Sequence, residues 1–136
     1  MTKTKNIKTQ KQLDSVNLNF TGEIAIIGGT IENPITLNKN YENAVVVLKN
    51  NAVVNIYENS EVNYMYGNST VKNMYGNSTV KNMYENSTVN YMFGDSRVKN
   101  MFENSTVNYM HENSVVNYMY ENSEVNYMHE NSVVNY

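Results

Sequence analysis

The chain contains no cysteine, few charged residues and no long apolar run, and each shortage closes off a class of protein. Without cysteine there is neither a disulfide framework nor a thiolate zinc site, and nothing points to an oxidising compartment. Charged residues make up 17% of the sequence, below the usual quarter, yet hydrophobic residues reach 40% and Asn, Tyr, Ser and Thr are abundant. That mixture is neither a disordered tail nor an ordinary globular composition. The longest apolar run, Ala44 to Leu48, is far too short to span a bilayer. The basic start, Met1 to Gln12, leads into no apolar segment of signal-peptide length, so no secretory signal is visible and a cytoplasmic location is expected. A length of 136 residues fits one compact domain or one short repeat array.

From Tyr57 onward one nonapeptide recurs nine times, the last copy one residue short, and such self-similarity outranks local propensity as a guide to fold. Units begin at Tyr57, Tyr66, Tyr75, Tyr84, Phe93, Phe102, His111, Tyr120 and His129. Each reads aromatic or His, Glu or Gly, Asn or Asp, Ser, a variable residue, Val, Asn or Lys, Tyr or Asn, Met. Upstream, the Asn-plus-small-residue step survives at Asn51-Ala52, Asn43-Ala44 and Asn33-Pro34, which predicts degenerate repeats over residues 30–56. The alternating Glu23-Ile24-Ala25-Ile26, closed by Gly28-Gly29, predicts a first strand within an N-terminal cap over residues 12–29. Residues 1–11 carry Lys3, Lys5, Lys8 and Lys11 around Ile7, which predicts a flexible basic tail.

No unit shows the apolar spacing of a helix, and the β-branched Val stands among Ser, Thr and Tyr, so the periodic part is expected to be all-β. Asn tolerates left-handed backbone, and Asp95 is its one replacement at the third position, so that position is expected to make the turn. Alternation puts Ser60 and Val62 on one face with Glu61 between them facing out. Met65 follows Val62 by three residues, so a second bend near Asn63-Tyr64 is expected before Met turns inward. One unit cannot bury such a face alone, whereas stacked coils make continuous Val and Met ladders. Stacked Asn side chains add amide ladders.

Stretches such as Glu112-Asn113-Ser114-Val115-Val116 and Gly94-Asp95-Ser96-Arg97-Val98 resemble the turn-and-wall segments of hexapeptide left-handed β-helices and, more loosely, of pentapeptide-repeat and bactofilin-like solenoids. The resemblance covers residues 30–136 and implies a parallel β-helix. The nine-residue period is similar to that of calcium-binding RTX repeats, but serines such as Ser60, Ser69 and Ser78 stand where that motif has its ligating Asp, so no calcium or other cofactor is expected.

Two units per coil, 18 residues, would stack His111 on His129, Val115 on Val133, and Thr70, Thr88 and Thr106 together. A three-unit coil mixes these columns and sets Arg97 against Glu124. Like with like favours two. A competing antiparallel meander would use Gly67-Asn68 and Gly76-Asn77 as hairpin turns, but six units have Glu-Asn there and a single layer leaves one face without a core.

Candidate chemistry is sparse. His111 and His129, next to Glu112 and Glu130, are the one arrangement with metal-ligating side chains together, and their places in an aromatic column make stacking the simpler reading. Every Ser has eight copies, so no singular nucleophile exists and an enzyme is not expected. Asn-Ser-Thr at Asn68, Asn77, Asn86 and Asn104 matches the glycosylation acceptor, which carries no weight without a secretory signal. One Thr per unit gives a single file rather than an ice-like lattice. The eight repeat methionines, at fixed spacing beside Val, are expected in the core rather than on a soft metal.

Charge is asymmetric. Residues 1–56 hold six lysines against four acids, and residues 57–136 hold nine acids against four bases. From Glu103 to Tyr136 the charged side chains are Glu103, Glu112, Glu121, Glu124 and Glu130, with no Lys or Arg. Such a surface disfavours direct nucleic-acid binding and membrane attachment, but it could imitate nucleic acid and engage a protein that normally binds it. The resemblance to pentapeptide-repeat proteins implies an inhibitor of that kind, in the manner of anti-restriction or anti-CRISPR proteins. The last unit brings no visible cap, so the chain is either cut from a longer array or self-associates through this edge. On the second reading His129, Val133, Val134 and Tyr136 are expected to join a homodimer. The primary expectation is a non-catalytic, self-associating solenoid; the inhibitor is the alternative.

Overall fold

The computed structural model describes residues 3–135. Strand β1 (Thr4–Ile7) and the short helix α1 (Gln10–Asp14) precede β2 (Gly22–Ile26), β3 (Ile35–Leu37), β4 (Ala44–Leu48) and β5 (Val53–Ile56). The repeats then give β6 (Glu61–Met65), β7 (Thr70–Met74), β8 (Thr79–Met83), β9 (Thr88–Met92), β10 (Arg97–Met101), β11 (Thr106–Met110), β12 (Val115–Met119), β13 (Glu124–Met128) and β14 (Val133–Val134). From β2 onward successive strands go to alternate sheets. The first sheet runs β1-β2-β4-β6-β8-β10-β12-β14 and the second β13-β11-β9-β7-β5-β3. Every strand pair is parallel. The chain is thus an all-β parallel solenoid of about seven coils, each of about 18 residues.

Register confirms two units per coil. Thr88 lies between Thr70 and Thr106, and Arg97 between Thr79 and Val115, not against Glu124. Between the two sheets the core is a double file of Val and Met. Val is fully buried in seven successive units, from Val62 to Val116, and Met in six, from Met65 to Met110. Each such side chain contributes about 1.5–3 kcal/mol by leaving water. The three-residue step from Val to Met leaves two consecutive residues facing out in β6, β7 and β8, and strand pairing skips the seventh residue of the unit, Asn63 opposite Lys81 for example, so the expected bend falls within a continuous strand. Amide ladders form at the seventh position, where Asn108 Nδ2 donates to Asn90 Oδ1 and Asn126 Nδ2 to Asn108 Oδ1, both at 2.8 Å, and at the eighth, where Asn100 Nδ2 donates to Asn82 Oδ1 at 3.1 Å.

Two expectations are corrected. The left-handed residue at each corner is the second of the unit, not the Asn. Glu58, Glu85, Glu103, Glu112, Glu121 and Glu130 have φ between 58° and 60°, and Gly67, Gly76 and Gly94 take the same conformation. Glycine pays no steric penalty there, and coils pack so closely that a Cβ on Gly76 would meet the Glu58 backbone at 3.2 Å. Second, residues 4–7 are not a tail. They form β1, paired in parallel with β2, and Ile7 is buried. Helix α1 follows, with Thr9 and Gln12 forming a capping box. Its Leu13, with Val16 beyond it, joins the core.

Candidate interaction surfaces

Along the array the core opens toward the last coil. Met110 is fully buried, Met119 is half-buried and Met128 is 47% exposed; Val116 is buried, while Val125 and Val134 are only partly covered. Strands β13 and β14 are the outer members of their sheets at this end. Of the residues expected to self-associate, Val134 packs against the core, Val133 projects outward at 43% exposure, and His129 is exposed at the corner between β13 and β14. Tyr136 lies outside the described residues.

The opposite end is built differently. The Gln10 side chain accepts from Thr36 N–H at 2.6 Å and donates to Thr36 C=O at 3.0 Å, so one amide fills both backbone positions of edge strand β3. The Tyr41 hydroxyl donates to Leu13 C=O at 3.4 Å, and burial, with Asp14 beside it, raises the Tyr41 pKa. A side-chain amide at that place mimics a neighbouring strand and blocks its addition. No local pattern of residues signals this contact, because Gln10 and Thr36 meet only after the first coil closes.

The two edges of the solenoid carry aromatic files. Tyr57, Tyr75, Phe93, His111 and His129 stack on one edge with centroids 4.8–5.3 Å apart. Tyr66, Tyr84, Phe102 and Tyr120 stack on the other. A third file, Tyr91, Tyr109 and Tyr127, flanks the first. Burial and neighbouring phenols and carboxylates raise the Tyr66 pKa; burial and Tyr57 raise that of Tyr75. The His111 and His129 rings are parallel within 5° at 4.8 Å, so their in-plane lone pairs point side by side rather than at a common centre. One metal about 2.1 Å from each nitrogen would require the rings to tilt together. Among the described residues no cluster of three metal-ligating side chains occurs.

No family model, curated protein or solved structure matches this chain.

The five distal glutamates fall into three places. Glu103 and Glu121 are on one edge, Glu112 and Glu130 on the opposite edge, and Glu124 is on the second sheet beside Thr106. Four corner carboxylates have a defined partner in the preceding coil. Gly67 N–H donates to Glu85, Gly94 to Glu112, Glu103 to Glu121 and Glu112 to Glu130, at 3.1–3.3 Å. A charge-assisted bond of this kind offsets the left-handed strain of about 1–2 kcal/mol that a Glu would otherwise carry. The exchange of Glu for Gly at the second position was the sequence signal for this corner, and it was masked by the stronger local preference of Asn. Among the described residues no helix is long and apolar enough to cross a membrane.

Proposed function

We propose that the chain is a non-catalytic self-associating module, and that its last coil pairs with the last coil of a second copy in a two-fold homodimer. The observation that carries this reading is the contrast between the ends: exposed Met128 and partly covered Val125 and Val134 at one, buried Leu13 and Val16 with Gln10 on the β3 edge at the other. Two apolar core ends meeting remove both from water, whereas head-to-tail stacking would set an apolar end against a polar one. A two-fold axis across the solenoid reverses strand direction, so β13 and β14 would pair antiparallel whichever sheets continue into each other. Light scattering should give twice the chain mass of 15.6 kDa at micromolar concentration, and Val133→Lys should give one chain mass. A monomer at that concentration, or an open filament, overturns the dimer.

A second reading is supported by the corner carboxylates, which backbone bonds hold in one row on each edge at coil spacing. Such rows suit the basic groove of a protein that processes nucleic acid, which this chain would inhibit by occupying it. Neutralising Glu103, Glu112, Glu121, Glu124 and Glu130 together should then abolish capture of that partner while leaving the dimer intact.

A further inference from the structure

Coils inside the array meet through a small set of matches that recur along it. At four corners, Gly67, Gly94, Glu103 and Glu112, the second residue of the unit points its N–H at the carboxylate of the Glu 18 positions on, as Glu103 does to Glu121 and Glu112 to Glu130. At two of these corners the carbonyl of the same residue also takes an Asn N–H from the next coil: Gly67 takes Asn86 and Gly94 takes Asn113, both at 3.1 Å. Rings stack on the rings of the next coil, and Val, Met and Asn continue their files. At the last coil the series stops among the described residues. Glu121 and Glu130 retain the left-handed geometry, with φ of 60° and 58°, and Tyr127 is 57% exposed.

From this we infer that the open end is a recognition site for a further repeat coil supplied in trans and taken up in parallel register. The occupant is an extended segment with two Glu-Asn-Ser corners nine residues apart, of which residues 102–119 are this chain's own example. Laid on the last coil, such a segment sets its Phe102 over Tyr120 and its His111 over His129. Its Glu103 and Glu112 carboxylates then reach Glu121 N–H and Glu130 N–H, and Val107 and Met110 cover Val125 and Met128. Each of these contacts copies one already present a coil earlier. An antiparallel two-fold junction cannot reproduce them, because chain direction at the corners is reversed. The segment therefore displaces a second copy, and its binding does not depend on whether the dimer exists.

The test uses the full chain and a synthetic, end-labelled peptide of residues 102–119. Fluorescence polarisation should show saturable binding of one peptide per chain, and hydrogen exchange should slow at the amides of Glu121 and Glu130. A peptide carrying Glu103→Ala and Glu112→Ala should bind about tenfold more weakly, since two charge-assisted bonds are lost against the relief of like-charge stacking. Binding without slowed exchange at those two amides, or equal binding of the reversed sequence, overturns the parallel coil, as does absence of saturable binding. The two readings fail separately: a monomer that takes up the peptide removes the dimer alone, and a dimer that ignores it removes the recognition site alone.

Discussion

The first coils and the later ones build the same cross-section from different materials. Up to β5 the interior mixes Ile24, Ile26, Leu37, Leu48 and Ile56 with Val46 and Val54, units are spaced irregularly, and side chains from outside the coils, Gln10 and Leu13 above all, complete the end. From β6 onward the interior repeats Ser, Val and Met at fixed spacing. The register shift between Val54 and Asn55, where β5 meets β7, marks the seam. The difference teaches that regularity is required for stacking identical surfaces but not for making a coil. The irregular end can specialise in closure, and the regular one in presenting a repeated edge.

Val89→Asp puts a carboxylate without a partner between two Val files and should destabilise by about 4 kcal/mol or more in a thermal or urea melt, whereas Thr88→Asp beside it should cost less than about 1 kcal/mol. Equal effects would refute the assignment of faces. In the irregular part Leu13→Ala should cost about 2–5 kcal/mol as a cavity substitution, provided α1 belongs to the same cooperative unit. A melt unchanged by it would separate α1 from the solenoid's folding. Gln10→Ala comes next, at about 1–3 kcal/mol, because Thr36 loses both partners at once. Hydrogen exchange should quicken at Thr36 and leave the amides of β9 and β11 unchanged.

Alkaline pH sharpens the contrast further. The folded pKa values of Tyr41, Tyr66 and Tyr75 are raised above the usual 10.0, so the folded state holds these protons more tightly than the unfolded chain. The resulting stability is present below pH 10 and is lost as pH rises through the folded values. Absorbance of phenolate followed with circular dichroism should show ionisation and loss of β structure together above pH 10. The smallest effect is expected at the repeated serines. The Oγ atoms of Ser69, Ser78, Ser87, Ser96, Ser105 and Ser114 are buried with no hydrogen-bond partner among the described residues, unlike Ser60, which donates to Leu37 and Tyr57 carbonyls. Ser96→Ala should change stability by less than about 0.5 kcal/mol or raise it, while Ser60→Ala should lower it by about 1 kcal/mol.

Much of the regular region was legible because its information is periodic: alternation fixed Ser and Val inward, and the like-with-like columns of Thr and His fixed the coil at two units. The irregular region was not, for a physical reason. Lys3 to Lys8 read as a tail since only Ile7 is apolar, but an outermost strand needs just one inward side chain when its backbone pairs with β2. The corner Glu was misread because its compensating partner lies 18 residues away, beyond the reach of any local preference. For the surfaces, the exposed His129 and Val133 and the partly covered Val134 could be anticipated, and the closure of the β3 edge by Gln10 could not.

Alternation of units between two sheets gives the array a parity. Removing a single nonapeptide, residues 84–92 for example, leaves corners and core files intact, since every unit brings the same Ser, Val and Met. Yet each later strand would change sheets, carrying His111 and His129 to the opposite edge and placing the Asn108–Asn126 ladder on the other face. Removing two units in succession shortens the rod by one coil and moves no later residue across it. Length in this architecture can therefore vary in steps of one for the fold and in steps of two for the surface. A recombination event that adds or loses one repeat would yield a protein of nearly unchanged stability with its distal faces exchanged.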